Sequence, residues 1–590
     1  MKHSFHIPVM GTCYTADSPI RLAHLGFSTV ISLVDDILLE RLGSYYAKLY
    51  KLPYATVPKK EEGGRAERIK NYLNLVDQIV KIKMDKTKAM NFNGKSDKDR
   101  YFKLLPTKSP LRQRYFKMME LPQGELRTNE EKNLQEEMTP GSIDVNIMVK
   151  LDRPEYGDAK EALKGYAESD LKGNTGIVFS AGINQALYTV ASEFKCFYRN
   201  AKGFFDKKII VKISDFRSAL VQGKFLARKG LEVSEFRIES GLNCGGHAFA
   251  SQGELLPAIL KEVAEKKDSL VAQFKSAIQK YYTAMGWDSA VLEKENKPIF
   301  SVQGGIGNFG EDLRLRTEYG MDRTGWGSPF MLVPEATLLD SITRKQLVDA
   351  TEKDLFLSNA SPLGVPFNNL HTCGAEVARK KLIAEGHPGA PCIKGFLENN
   401  TEFTERPICT ASRQYQKLKT EQIEKMAISR EAKDKLLAHA YEKTCLCHEL
   451  GNAGLIELGL ETPEKAPQAI CPGPNIAYFN REYTLEEMVD HIYGRGKSLV
   501  PENRPHVFAQ EIKIYVNWFK GELENFSGDK DYAKWLDGAA ENLYKGMDLS
   551  LEVAQGKAYP GENLKSIEDA VQKYRPVLQN LQEELKRKAA

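Results

Sequence analysis

The 590-residue sequence predicts an α/β fold: a (β/α)8 TIM barrel with insertions, followed by a mainly helical C-terminal region. Three observations carry this. Short β-branched apolar runs alternate with helix-like stretches, the pattern of βαβ units around a parallel sheet. Eight such runs fall between residues 7 and 330, the number a closed barrel needs. Glycine-rich polar segments follow many of them, on the face where barrel enzymes place their sites.

In chain order, strands are expected at 7–10, 29–33, 143–149, 177–179, 209–213, 236–238, 299–302 and 324–330. Between them lie stretches with helical spacing, such as 215–228. Two stretches interrupt the repeat. Residues 85–135 are Lys-rich and highly charged, and residues 253–295 read as one long helical excursion. Both suit insertions on barrel loops. Beyond about residue 370 the alternation fades and helical spacing dominates, with Pro/Gly breaks at 387–391 and 471–474. The expected organisation is a barrel over 1–370 and a Cys-rich helical region over 371–590. Amphipathic helices are expected at 485–493 and 562–588, covering the barrel or a subunit partner in a homo-oligomer.

Composition narrows the function classes. Hydrophobic residues make up 42% and charged residues 27%, as in ordinary globular proteins. A net charge of +4 is too small for this length to point to nucleic acid or an anionic membrane. No apolar stretch approaches the roughly 18 residues of a membrane span. The first twenty residues hold no apolar core of a secretion signal, so a cytoplasmic location is expected. In a reducing compartment the nine cysteines read as thiols or metal ligands rather than disulfides.

The chemistry sits after the strands. The first is followed by Met10-Gly11-Thr12, the sixth by Gly241-Leu242-Asn243-Cys244-Gly245-Gly246-His247, and the seventh by Gly304-Gly305-Ile306-Gly307. At the eighth come Gly325-Trp326-Gly327-Ser328-Pro329. Barrels commonly bind a phosphate on the loops after strands seven and eight. Glycines there let backbone N–H groups approach, and the Ser328 hydroxyl adds a donor. The plainer alternative is that these glycines only make tight turns. His247 titrates near neutrality and can exchange a proton at physiological pH. Lys212, inside an apolar run, either points to the mouth or lies outward at a strand end.

Together these segments resemble the nitronate monooxygenase family, formerly the 2-nitropropane dioxygenases, which includes flavin-dependent enoyl-acyl-carrier-protein reductases. The family's strand running into Glu-Ala-Gly-Gly-His corresponds to Asn243-Cys244-Gly245-Gly246-His247 here. Its Gly-Gly-Ile loop is matched by Gly304-Gly305-Ile306, and Asp322 to Ala336 aligns with its next motif without gaps. The opening Pro8-Val9-Met10-Gly11 resembles the first-strand loop that lies against the flavin ring. The resemblance covers residues 1–370 apart from the insertions. It implies FMN, with Met10, Gly11 and Thr12 at the ring. Its phosphate would lie at Gly304, Gly305, Gly327 and Ser328. It implies that His247 abstracts a proton from a nitronate or similar carbon acid. The residues themselves add Lys212, for which the charge of a reduced flavin is a natural partner if it points to the mouth, and Cys244, beside His247 at the reaction centre. Cys244 stands where the family has a small inert residue, and Pro329 where it has arginine.

Two further function classes stay open: an NAD(P)H-fed flavin enoyl reductase, and a non-enzymatic scaffold whose Cys-rich region binds partners. In that region Cys409, Cys445, Cys447 and Cys471 offer thiolates for zinc or an iron–sulfur cluster. The alternative is buried free thiols acting as small hydrophobes.

Overall fold

A computed structural model of the chain describes residues 3–148, 157–244 and 251–589, without the side chain at 251. Eight parallel strands run in the order β1-β8-β7-β6-β5-β4-β3-β2. They are β1 Phe5–His6, β2 Thr29–Ser32, β3 Ile143–Ile147, β4 Gly176–Phe179, β5 Lys208–Ile213, β6 Val233–Glu239, β7 Ile299–Gln303 and β8 Arg323–Gly325. A parallel bridge between Ile7 and Thr29 joins β1 to β2 and closes the barrel. The (β/α)8 architecture is therefore present, with helices such as Phe216–Arg228 between strands. That helix starts where Asp215 accepts a hydrogen bond from the Ser218 N–H at 2.6 Å.

Two strands differ from expectation. The first lies at Phe5–His6 rather than 7–10, because Pro8 has no N–H to continue the ladder. The eighth ends at Gly325, and Ser328–Leu332 forms a 3₁₀ turn with proline at its start.

Side-chain alternation divides every strand into an outer and an inner face. On β5 and β6 the outer Ile209, Val211, Phe236 and Ile238 join the main hydrophobic core. The inner face is split. One corner holds Val30, Val178 and Ile210, with Val9 packed on them. Elsewhere it is charged: Glu235 pairs with Arg237 at 2.9 Å and with Arg323, and accepts from Ser301 Oγ at 2.5 Å. Burial raises the cost of the Glu235 charge, but the two arginines outweigh it and hold the carboxyl well below the usual range.

The charged stretch after residue 85 forms helices Asp97–Lys103, Pro110–Glu120 and Glu125–Glu137. They enclose a small core of their own, including Phe102, Tyr115, Met118 and Leu134. The stretch from 253 is dominated by helix Leu256–Ala284. Beyond the barrel an antiparallel hairpin, β9 Leu355–Ser358 and β10 Phe367–Leu370, precedes a mainly helical region. Its last three helices, Val507–Glu524, Lys530–Ala554 and Lys565–Ala589, pack on each other, and the first two of them pack on Leu256–Ala284. Among the described residues no helix is long and apolar enough to cross a membrane.

Candidate active site at the barrel mouth

A cavity of about 170 Å³ lies at the C-terminal ends of β1 to β6. Its floor is polar, with Thr12, Ser32, Asn146, Lys212 and Glu239. Its roof comes from the C-terminal region and is mostly apolar, with Leu363, Val365, Phe367, Leu397, Leu446 and Leu450. Lys212 follows Ile210 on the inner face of β5, so its side chain points into the barrel mouth and not outward. Its Nζ lies 3.0 Å from Glu239 Oε1, with 9% and 13% of the two side chains exposed. The same oxygen accepts from Asn243 Nδ2 at 2.8 Å and Gln303 Nε2 at 2.9 Å. Gln303 in turn meets His6 Nε2 at 3.2 Å. Three donors thus converge on one carboxylate oxygen and fix the lysine beside the cavity.

Two floor atoms, Thr12 Oγ1 and Asn146 Oδ1, are buried without a hydrogen-bond partner among the described residues. Such groups are costly unless something in the cavity pairs with them. Ser32, Asn146, Glu239 and Asn243 were not among the expected site residues. Their signal is a polar residue at every second position near a strand's C-terminal end, as in Asp144 and Asn146 of β3.

Cys244 lines the cavity, and burial pushes its thiol up to about 12. At neutral pH it is a protonated thiol that can donate a proton but not act as a thiolate. Its sulfur lies 2.8 Å from where a Cβ at Gly327 would stand, so that glycine is needed for close approach. Met10 is buried behind the cavity, while Gly11 and Thr12 line it. His247, with Gly245 and Gly246, lies outside the described residues.

Within each of the two glycine loops expected to hold a phosphate, exposure varies from residue to residue. Gly304 and Gly327 are half-buried at their strand ends. Ser328 is buried, and its hydroxyl makes no hydrogen bond within the described residues. Gly305 is sealed: a Cβ there would meet Leu242 at 2.5 Å and Val507 at 3.1 Å. Behind it Arg504 Nη1 donates to Glu311 Oε1 at 2.6 Å, and Nη2 to the Gly305 carbonyl at 2.6 Å. Glu311 Oε2 accepts from the Gly307 N–H at 2.7 Å. The N-terminus of helix Phe309–Thr317 is thus met by a carboxylate from its own first turn.

The four cysteines expected as metal ligands do not form one set. Cys471 lines the mouth cavity. Cys447 lines it too, Cys445 lines a separate pocket, and Cys409 lines neither. Among the described residues no three His, Cys, Asp or Glu side chains are placed to hold a metal ion.

Glu449, in the roof helix Leu446–Glu449, has a carboxyl that burial, with Glu376 nearby, raises to about 8. The unfolded carboxyl ionises near the ordinary 4.5, so unfolding between those values releases a proton. Stability therefore falls as pH rises from about 4.5 to about 8. Glu449→Gln is expected to flatten the slope of Tm against pH in that window and to be the more stable form at pH 8. Parallel Tm curves for the two proteins would refute this.

No protein-family model and no curated protein matches the chain. Several solved structures are similar to it. FabK from Thermotoga maritima is 11% identical, covering 67% of this chain and 83% of its own, with a TM-score of 0.31. The enoyl reductase domain of MlnA, from the macrolactin biosynthesis cluster of Bacillus amyloliquefaciens, is 16% identical, covering 63% and 84%, with a TM-score of 0.35. Nitroalkane oxidase from Streptomyces ansochromogenes is 12% identical, covering 63% and 84%, with a TM-score of 0.30. TM-scores this low carry no statement about what the chain does.

Proposed function

We propose that the chain is a flavin-dependent oxidoreductase with its reaction centre at the barrel mouth. The observation that carries this is the cavity floor. Lys212 is held by Glu239 beside the buried Thr12 Oγ1 and Asn146 Oδ1, which have no partner among the described residues, under an apolar roof. A flavin ring presents a donor and acceptor edge on an apolar body, and the floor offers both kinds of partner. Thr12, Asn146 and Lys212 would hold the ring of FMN, with Met10 and Gly11 behind it. Gly304, Gly327 and the Ser328 hydroxyl would hold its phosphate. When bound, FMN supplies a two-electron acceptor and donor that no side chain here provides.

The protein's own share is positioning and electrostatics. The roof excludes water and so strengthens the field of Lys212 at the cavity floor. His247 exchanges the proton with the substrate carbon. The protonated Cys244 holds a second proton at the same place. The cavity's 170 Å³ is below the 300–1,000 Å³ usual for ligand pockets, so a cofactor-sized guest requires the roof to give.

Two substrate classes remain. A small carbon acid such as a nitronate suits proton abstraction followed by electron transfer. An activated double bond on an apolar chain, reduced at the expense of NAD(P)H, is favoured by the leucine-rich roof. A visible spectrum of the purified chain, with FMN added if needed, is expected to show bound flavin. Anaerobic bleaching by a nitronate supports the first class. Bleaching by NADPH alone supports the second and refutes the first. No bound flavin under either condition refutes the proposal.

A further inference from the structure

The chain leaves β6 through Gly241 and returns at Leu256, the first residue of helix Leu256–Ala284. Between them in sequence lie Asn243, Cys244 and His247. One carboxyl meets both ends of this loop. Glu511, on helix Val507–Glu524, accepts the Gly241 N–H through Oε1 at 3.3 Å and the Leu256 N–H through Oε2 at 2.6 Å. The N–H of a first helical residue has no partner within its own helix. Glu511 supplies it, and in doing so joins two points that the sequence sets far apart. Glu511 is 1% exposed. Burial pushes its carboxyl up to about 7, against the pull of the two N–H groups.

The C-terminal helices hold the same loop at other points. Gly241 lies against Tyr515, one turn along from Glu511, and a Cβ there would meet the ring at 2.8 Å. On the returning limb Gln252 takes φ 63°, a left-handed conformation that residues with a side chain rarely adopt. Its carbonyl accepts from Asn542 Nδ2 at 2.9 Å. Next to it Gly253 lies against Ala539, whose carbonyl a Cβ would meet at 3.1 Å. Such a backbone persists only where its surroundings fix it. Here helices Val507–Glu524 and Lys530–Ala554 provide those surroundings, and neither belongs to the barrel.

We propose that Glu511 is a positioning residue for the reaction at the barrel mouth, tying Gly241 to Leu256 and so fixing both ends of the loop that carries Cys244 and His247. The role rests on the function proposed above, in which those two residues serve the substrate. Glu511 acts through the loop and lines no part of the mouth cavity. A reacting group misplaced by about 1 Å can lose about 10²-fold in rate, so a distant staple has leverage on the chemistry.

Glu511→Gln keeps the shape and one acceptor, but sets an NH2 group against one of the two N–H groups. At about pH 8, where the carboxylate is ionised, kcat with the compound that bleaches the flavin is expected to fall by about 10–100-fold. KM and FMN affinity should hold. Tm should not fall, because the amide carries no charge to bury. Glu511→Asp keeps the charge but is too short to reach both ends, and should lie between the two. Hydrogen exchange of the flavin-free chain, read by mass spectrometry, should quicken at Gly241 and Leu256 in both variants. Unchanged exchange at these amides would overturn the proposal, as would quickened exchange with kcat unchanged. A fall in kcat matched by losses of Tm and FMN affinity would overturn it too, showing a carboxyl that only supports the fold. Absence of turnover in the unaltered protein would refute the function proposed for the mouth, and the positioning role with it.

Discussion

Replacing Arg504 with methionine is expected to lower the unfolding free energy by about 3–5 kcal/mol, the usual cost of breaking a buried ion pair on one side. The Arg504 side chain is 2% exposed and that of Glu311 is 0% exposed, at 2.6 Å. Removing the guanidinium leaves Glu311 with only the N–H groups of Gly307 and Val507. It also frees Asn475 Oδ1 and the Gly305 carbonyl, both now bonded to the arginine. Methionine keeps most of the volume, so the loss reports charge and hydrogen bonding rather than a void. Denaturant unfolding measures it. The double variant Arg504→Met with Glu311→Gln should recover part of the loss, because the uncompensated charge is gone. A loss under about 1 kcal/mol would mean that Glu311 is protonated or hydrated in the variant and that the pair does not clamp the loop.

The Arg504 clamp also shows what a single chain of letters hides. The glycines at 304 and 305 were legible as a special backbone, since both take positive φ, at 104° and 77°. Two purposes remained open for them, close packing or a phosphate. Gly305 serves packing against Leu242 and Val507. Val507 lies some two hundred residues away in sequence, and nothing local to a Gly-Gly pair names such a partner. The eight strands were readable in order because each apolar run is self-contained. Their ends were not, because ladders stop where a neighbour stops. At Pro8 the missing N–H is visible in the sequence, whereas at Gly325 only the chain's turn toward the mouth ends the strand.

The floor was half legible. Lys212 could be singled out as a charge in an apolar run, and only the inward alternation with Ile210 decides that it faces the mouth. Glu239 lay beyond the expected end of its strand, and only the fold makes it the partner of Lys212. The hairpin of β9 and β10 and the roof leucines carry no local motif, since their meaning comes from the cavity they cover. The cysteine grouping failed for the same reason. Spacing groups Cys409, Cys445, Cys447 and Cys471, yet of these only Cys447 and Cys471 line the mouth cavity.

Lys212→Met is expected to lower kcat/KM by about 10²–10³, the usual effect of removing one preorganised electrostatic donor from a water-excluded site. The substrate is whichever compound bleaches the flavin in the anaerobic titration. Folding should suffer far less. Glu239 keeps its hydrogen bonds from Asn243 and Gln303, so its carboxylate is not left bare. Among the described residues the lysine's one ion pair is largely buried, with 9% and 13% of the side chains exposed, so the stability lost with it is limited by the hydrogen bonds that Glu239 keeps. A structural lysine would show the reverse, a large fall in Tm with activity per folded molecule preserved. Lys212→Arg separates charge from shape. It retains the cation on a longer fork, and should keep Tm while recovering only part of the rate. Flavin affinity, read from the same spectra, provides an independent readout: loss of a ring contact weakens binding whether or not chemistry is slow. If Lys212→Met keeps kcat/KM within threefold and binds FMN unchanged, the reaction centre does not lie over the Lys212–Glu239 pair.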